Sequence, residues 1–268
     1  MMTMMRARAF LTAGGVVILT AVTADAQSLA RRMADAPNGK VRLEFAARPD
    51  LCGTGSYVSR GQNHRMSWDS DQSEDVEYTE ECMRSPVRVV ITKSGGQLVR
   101  IRTYVGGRWR PAVGNVTNIG PVSTREAVNY LMSVANTSSS KKVGGEAIFP
   151  MTLADSVEIW QGLLRMARDE SRPNGIRSQA VFWLSQTAGD AITSNLAELT
   201  GDAAVDREVR EQAVFALSQR PRSEGVPALI NIARTNRDPE IRKKALFWLG
   251  QSRDPRALAL FEEILSRR

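Results

Sequence analysis

Histidine and cysteine are scarce in this sequence, and their scarcity restricts the chemistry open to the chain. Among 268 residues there is one histidine, His64, and there are two cysteines, Cys52 and Cys82. A Ser-His-Asp triad would have to use His64, whose neighbours lack the glycines of a nucleophile elbow. A zinc site normally draws on several histidine or cysteine ligands. We therefore expect no catalytic residues, no metal and no cofactor, although catalysis by paired carboxylates stays open.

Long apolar runs are also scarce, and the clearest one lies near the amino terminus. Arg6 and Arg8 precede an apolar stretch from Ala9 to about Val22, and the small residues Ala24-Asp25-Ala26 follow it. This pattern is typical of a cleaved secretory signal peptide over residues 1–26, and the run is too short to span a bilayer comfortably. We expect an exported bacterial protein, periplasmic or extracellular, that is not an integral membrane protein after cleavage.

Basic residues outnumber acidic ones, 36 to 29, which leaves a formal net charge of +7. A basic balance normally suggests a nucleic-acid partner. Export argues against nucleic acid, so an acidic protein or an anionic envelope surface is the better interpretation. A solvated surface with a mild positive excess remains an equal alternative.

Residues 27–40 are polar, and we predict a linker there. From Val41 onward apolar residues alternate with polar ones, which is typical of half-buried strands. The same alternation recurs on both sides of Ser94-Gly95-Gly96, a hairpin turn signal. Residues 41–118 are therefore predicted to form a small antiparallel β-rich unit.

Both cysteines lie in this unit, and an exported protein meets an oxidising compartment. We predict a disulfide between Cys52 and Cys82. The segment 69–81 between them contains seven acids and no base. Its spacing approaches that of a calcium loop, but Glu74 stands where that loop needs glycine. A solvated loop, or one that faces the basic strands, is the alternative interpretation.

One eleven-residue phrase recurs three times in the second half of the chain. It reads IRSQAVFWLSQ at 176–186, VREQAVFALSQ at 209–219 and IRKKALFWLGQ at 241–251. Each copy places apolar residues at helical spacing. The period of 33 and then 32 residues predicts a stacked repeat.

The phrase resembles the short bacterial HEAT repeat, which is also found in phycobilisome-lyase-like proteins. It carries a β-branched residue and arginine, then alanine and leucine at fixed offsets. The resemblance implies an all-α, right-handed solenoid of about four helix pairs over 119–268, clearest from residue 175. The fold class is then α+β. In such families the arginine generally pairs with an acid of the next repeat, here Asp206 or Asp238, and small alanines let helices approach closely. The residues concerned are Arg177, Arg210, Arg242, Ala180, Ala213 and Ala245.

The first helices depart from the repeat consensus. Ser123 and Glu126 have capping-box spacing and predict a helix that ends at about Asn136. Residues 136–150 are predicted to be a flexible loop, and a further helix is predicted from about Thr152 to Arg168. We interpret them as an atypical terminal repeat.

In proteins of this kind the second helix of each pair generally lines a concave face. Its exposed residues would be Glu158, Gln161, Arg165, Asn231, Arg234 and Glu262. We expect a non-catalytic scaffold that binds a protein or peptide partner in the cell envelope, and no nucleic acid. Two alternatives remain: an envelope enzyme whose active part is the β-rich unit, and a calcium or ligand sensor that uses the loop 69–81. The sequence does not indicate the oligomeric state.

Overall fold

The computed structural model describes residues 28–55, 57–60, 64–67, 75–186 and 190–266. The predicted signal peptide therefore lies outside the described residues. The described part of the chain combines an N-terminal β-rich region with a C-terminal helical region, as the fold class α+β requires. Within it, no helix is both long enough and apolar enough to cross a membrane.

The N-terminal region begins with one short helix and continues as strands. Its elements in chain order are α1 (Leu29–Asp35), β1 (Gly39–Phe45), β2 (Leu51–Gly53), β3 (Tyr57–Arg60), β4 (His64–Ser67), β5 (Val76–Glu77), β6 (Val87–Ser94), β7 (Gln97–Val105), β8 (Arg108–Trp109) and β9 (Val116–Pro121).

The largest sheet has the strand order β7-β6-β1-β9. β6 and β7 form the predicted hairpin, and Gly95 and Gly96 both adopt positive φ, at 58° and 74°. A two-residue turn with two positive φ angles matches the twist of the strands it joins. β9 pairs with β1 in parallel, so the sheet is mixed rather than wholly antiparallel. β2, β3 and β4 form a separate antiparallel sheet, and β5 pairs with β8.

The four-stranded sheet buries apolar residues on both faces. Val41, Leu43 and the alternate residues of β6 belong to the main core, together with Leu131 of the helical region. On the opposite face, Val90 and Tyr104 pack with Val76 and the half-buried Trp109. The sheet therefore contributes to the same core as the helices.

The linker predicted at 27–40 is instead largely structured. α1 presents Leu29 and Met33 to the core, at 1% and 2% exposure. Lys93 Nζ donates to the carbonyls of Met33 and Ala34 at the end of the helix, at 2.7 and 3.1 Å. Two apolar residues four positions apart suffice to pack this seven-residue helix against the core. A single such pair is too short a pattern to predict a helix from the sequence.

Cys52 and Cys82 form a disulfide, as predicted. It joins β2 to the segment after β5, next to a backbone bridge between Gly53 and Met83. The bond closes a loop with a sequence separation of 30 residues. A cross-link of this span restricts the unfolded chain and stabilises a unit with little core of its own.

The C-terminal region is helical. Its elements are α2 (Thr124–Thr137), α3 (Lys141–Glu146), α4 (Ile148–Thr152), α5 (Trp160–Arg168), α6 (Asn174–Ser185), α7 (Asp190–Gly201), α8 (Arg207–Ser218), α9 (Arg222–Thr235), α10 (Pro239–Ser252) and α11 (Pro255–Ser266).

These helices form two layers. α6, α8 and α10 carry the three phrases and pack on one another to form the first layer. α5, α7, α9 and α11 stack in the same order to form the second layer. Ala180, Ala213 and Ala245 are completely buried in the first layer.

Two predictions in the first half of the helical region were wrong. Residues 141–152 form α3 and α4 rather than a flexible loop, and Val143, Ile148 and Phe149 are buried. The glycines that suggested a loop permit close packing instead, since a Cβ on Gly144 would lie 2.7 Å from Ile176 Cδ1. The next helix starts at Trp160 rather than near Thr152, because the intervening residues run along the β-rich unit.

Candidate protein-binding site

Two of the three repeat arginines, Arg177 and Arg210, lie at the junctions between successive units. Arg177 is fully buried; its Nε donates to Ala167 O at 3.0 Å and its Nη1 pairs with the Asp206 carboxylate. Arg210 Nη2 lies 3.0 Å from Asp238 Oδ2 in the same way. These two guanidinium groups join one repeat to the next through ion pairs.

Arg242 differs from the other two repeat arginines. It donates to the backbone carbonyls of Asn236 and Arg237, at 2.8 and 3.2 Å. Both carbonyls belong to the turn before its own helix. This arginine therefore closes a turn rather than a junction between repeats.

Aromatic side chains also pack along the first layer. The Trp183 ring lies 5.3 Å from Phe149 and 5.0 Å from Phe182, and Trp248 packs against Phe215 at 5.0 Å. Trp183 is 4% exposed. Packing, rather than ligand binding, accounts for the position of both tryptophans.

The residues predicted to line the concave face are all exposed in the structure. Five of them lie on second-layer helices: Gln161 and Arg165 on α5, Asn231 and Arg234 on α9, and Glu262 on α11. Glu158 precedes α5 instead of lying on it. The structure therefore places these five residues on helices of a single layer.

Ion pairs connect adjacent helices of this layer. Arg168 Nη2 lies 3.4 Å from Glu198 Oε2, which joins α5 to α7. Arg234 pairs with Glu263, which joins α9 to α11. Arg234 is therefore engaged within the layer, whereas Arg165 is exposed on α5.

A buried polar contact fixes the spacing between α7 and α9. The Arg220 side chain donates to Ser185 O, Thr193 Oγ1 and Glu224 Oε2, at 3.3, 3.1 and 2.8 Å. Hydrogen bonds from Thr193 and Arg220 lower the pKa of the Glu224 carboxyl group. Arg220 also lines a cavity of about 240 Å³ beside Trp248. This arrangement holds repeats together.

A groove that the sequence did not reveal lies between β7 and the helices α3, α4 and α6. It has a volume of about 530 Å³ and is lined by Arg100, Ile101, Arg102, Thr103, Lys142, Gly145, Glu146, Phe149, Gln179, Phe182 and Trp183. Three distant segments contribute to this lining, so no local motif could have identified it. Clefts between structural units are common ligand sites.

Part of the acidic segment 69–81 contacts basic strands on the outer face of the sheet. Asp75, which is fully buried, lies 2.8 Å from Lys40 Nζ, 3.7 Å from Arg42 Nη2 and 3.6 Å from Arg102 Nη1. Residues 69–74 lie outside the described part. Because three cations surround the Asp75 carboxylate, this residue is poorly suited to be a calcium ligand.

Trp109 packs beside the basic residues on this face of the sheet. The guanidinium carbons of Arg42 and Arg88 lie 5.0 and 5.7 Å from its ring centroid. Burial lowers the pKa of Arg88, and the nearby Glu44 opposes that shift. The arrangement covers this face of the sheet with ion pairs and cation–π contacts.

His64 was considered for a catalytic triad, and the cysteines and acidic residues were considered as metal ligands. His64 lies on β4, opposite Arg60 in the backbone register. Among the described residues, no group of three or more His, Cys, Asp or Glu side chains could hold a metal ion. The one carboxylate among the described residues of the groove, Glu146, accepts a backbone hydrogen bond from Ile101.

Comparison with protein families agrees with the helical geometry. Residues 196–268 match the family model of HEAT repeats. The matched range covers two of the three phrases and runs from within α7 through α11. The phrase at 176–186 lies outside the match but occupies the equivalent first-layer position. No curated protein sequence matches the chain. Residues 196–268 are thus similar to HEAT repeats, a class associated with protein interactions.

Proposed function

We propose that the protein is an exported, non-catalytic scaffold that binds a protein or peptide partner in the cell envelope. The partner would contact the second-layer surface, defined by Gln161, Arg165, Asn231, Arg234 and Glu262. The supporting observation is that these side chains are exposed on helices stacked in one layer. Stacked repeats commonly use such an extended surface for recognition.

The construction of this layer supports the proposal. Each of its helices buries one apolar face, as Leu163, Met166 and Ala167 of α5 do. The ion pairs between adjacent helices limit their relative movement. A rigid surface loses little conformational entropy when it binds a partner.

Export is supported by two features of the chain. The amino-terminal pattern is that of a signal peptide. The Cys52–Cys82 disulfide is of a kind that persists in oxidising compartments.

Glu158, which precedes α5, would lie at the edge of the proposed contact surface.

The proposal is tested by affinity capture with residues 27–268 from an envelope extract of the source organism. Arg165→Glu reverses an exposed charge on the second layer without breaking an ion pair described in the structure. Lys243→Glu makes the same reversal on the first-layer helix α10 and serves as the matched control. We expect one protein to be retained by the wild type and Lys243→Glu and lost with Arg165→Glu. Equal retention by all three forms would exclude this surface.

A further inference from the structure

The helices α10 and α11 carry large apolar residues that are exposed. Phe247 of α10 is 55% exposed, and Leu258 and Leu265 of α11 are 60% and 67% exposed. In the described part of the chain, the main neighbours of these two helices are α8, α9 and each other. We call the surface formed by Phe247, Leu258 and Leu265 the end face. An exposed apolar surface on stacked helices is a candidate for contact with another chain.

On α10, the end face continues the packing of the first layer. Phe215 of α8 contacts Trp248 of α10, with their ring centroids 5.0 Å apart. The phenylalanine of the phrase in α8 therefore contacts the following unit. Phe247 is the equivalent residue of the phrase in α10. It belongs to the surface by which one unit packs on the next.

On α11, the exposed leucines point away from the preceding helix of their layer. Glu263 pairs with Arg234, and this ion pair identifies the side of α11 that faces α9. Leu265 follows Glu263 by two positions, which is about 200° around a helix, so it lies on the opposite side. Leu258 lies two helical turns before Leu265, on the same side. The end face thus extends over both layers in the direction of stacking.

The opposite end of the stack is already covered, so a second copy cannot add to it head to tail. α6 packs on α3 and α4, and the Trp183 ring contacts Phe149 of α4. Met132 of α2 packs over Gly162 of α5. The surface that a head-to-tail stack would need is therefore occupied within the same chain. Two copies can associate through the end face only if it packs on the same face of the other copy, which gives a closed two-fold dimer.

The size of the end face suits a weak dimer. The twelve residues of α11 span about 18 Å at 1.5 Å per residue, and helices that pack lie about 10 Å apart. Two such helices side by side offer a face of roughly 400 Å², so two copies would bury roughly 800 to 1,000 Å² in total. This area is at the lower end for specific interfaces, and we expect a dissociation constant of about 10 to 100 μM.

We propose that the protein forms a two-fold symmetric dimer through the end face. α10 and α11 of one copy pack on α10 and α11 of the second copy, and the side chains of Phe247, Leu258 and Leu265 lie between them. The dimer combines two second-layer surfaces in one assembly. The end face shares no residue with the second-layer surface, so dimer formation and partner binding can be tested separately.

Sedimentation equilibrium of residues 27–268, from about 5 to about 500 μM, tests the dimer. Leu258→Glu places a carboxylate in the apolar contact of both copies and should raise the dissociation constant about tenfold or more. Leu258→Met keeps an apolar side chain of similar size and should leave the dissociation constant unchanged. Val113→Glu is the matched control, because it introduces the same charge at an apolar residue that is 85% exposed elsewhere in the chain.

A second substitution and a folding control complete the experiment. Leu265→Glu changes another exposed residue of the end face and should weaken the dimer as Leu258→Glu does. Circular dichroism and thermal unfolding show whether each variant is folded. Only folded variants are compared.

Three results would overturn the proposal. They are a wild type that is monomeric at every concentration, growth into species larger than a dimer, and unchanged dimerisation of both end-face variants. A monomeric wild type whose captured partner is lost with Leu258→Glu would assign the end face to a different protein. Arg165→Glu should dimerise as the wild type does. A failure of the end face is thereby distinguished from a failure of the second-layer surface.

Discussion

Equivalent residues of the repeats have different hydrogen-bond and ion-pair partners, because the groups within reach of each side chain differ between repeats. Asp238 caps α10, with Oδ1 accepting from Glu240 N at 3.0 Å, and the backbone hydrogen bond and nearby Arg210 lower the pKa of its carboxyl group. Asp206 occupies the same position before α8, yet its side chain makes no cap hydrogen bond and pairs with Arg177 instead. Both positions have aspartate, a residue type that favours the N-cap, but only Asp238 caps its helix.

Glu126 shows the same effect. Ser123 Oγ accepts from Glu126 N at 3.2 Å, so half of the predicted capping box forms. The Glu126 carboxylate, however, accepts from Leu29 N at the start of α1. In a capping box this carboxylate would accept from the backbone N–H of Ser123. Here the donor is Leu29 N, from a segment far away in the sequence.

The three repeat arginines should contribute unequally to stability. Arg177→Ala should lower the free energy of unfolding by about 3 kcal/mol, because it leaves a cavity and removes the donor to Ala167 O. Arg210→Ala, at a junction that is less buried, should cost about 1 to 2 kcal/mol, and Arg242→Ala about 1 kcal/mol. Urea unfolding of the three variants measures the order. A cost for Arg242→Ala equal to that for Arg177→Ala would contradict the junction role.

At the scale of the element, α11 depends on one residue at its start. Asp254 Oδ1 accepts from Arg256 N at 3.0 Å, and its two oxygens also receive Arg256 Nε and Nη2 at 2.9 and 2.8 Å. These hydrogen bonds from Arg256 lower the pKa of Asp254 to about 2. Arg256 in turn donates to Arg222 O, which connects α11 to the start of α9.

This shift predicts an acid-dependent contribution to stability. The ordinary pKa of aspartate is 3.8 and the folded value is about 2, so the ionised form is favoured by folding. The stabilisation is therefore complete above about pH 4 and is lost as the pH falls towards 2. Asp254→Asn keeps a capping oxygen but cannot ionise. The difference in melting temperature between the wild type and Asp254→Asn should be largest near pH 6 and should decrease towards pH 2.

Glu262→Gln is the control for this experiment, since it removes an exposed carboxylate from the same helix. Its difference from the wild type should not decrease between pH 4 and pH 2 in the same way. A pH-independent difference for Asp254→Asn would show that the pair with Arg256 does not form in solution.

At the scale of the whole molecule, the stacking of helices predicts that stability varies along the chain. In a repeat array each unit contacts its neighbours, so local defects affect nearby units most. Leu249, in α10, is 1% exposed and Leu163, in α5, is completely buried. They lie at opposite ends of the two-layer stack.

Leu249→Ala should accelerate amide hydrogen exchange in α10 and α11 and leave α5 and α6 nearly unchanged. Leu163→Ala should have the reverse effect, each substitution costing about 3 kcal/mol locally. Exchange measured by mass spectrometry at peptide resolution distinguishes the two patterns. Uniform acceleration across all helices in both variants would instead indicate a single cooperative unit.

The sequence by itself determined the features that depend on local periodicity. The 33- and 32-residue spacing of the phrase predicted α6, α8 and α10, since a buried helical face needs apolar residues every three to four positions. Alternation and the Gly95-Gly96 turn predicted the β6–β7 hairpin for the same kind of reason. The disulfide was predicted because both cysteines lie in one unit and the amino-terminal pattern suggested an oxidising compartment.

Only the tertiary structure decided features that need residues distant in the chain. α1 and α3 are short, and they fold against distant elements: α1 packs against α2, and α3 packs against α2, β7 and α6. β9 pairs in parallel with β1, which lies about 75 residues earlier in the chain, so local alternation does not reveal this pairing. The groove between β7 and the helices α3, α4 and α6 combines residues 100–103, 142–149 and 179–183. Periodicity shows which face of a helix or strand is buried. Which other element packs against that face depends on contacts between residues far apart in the sequence.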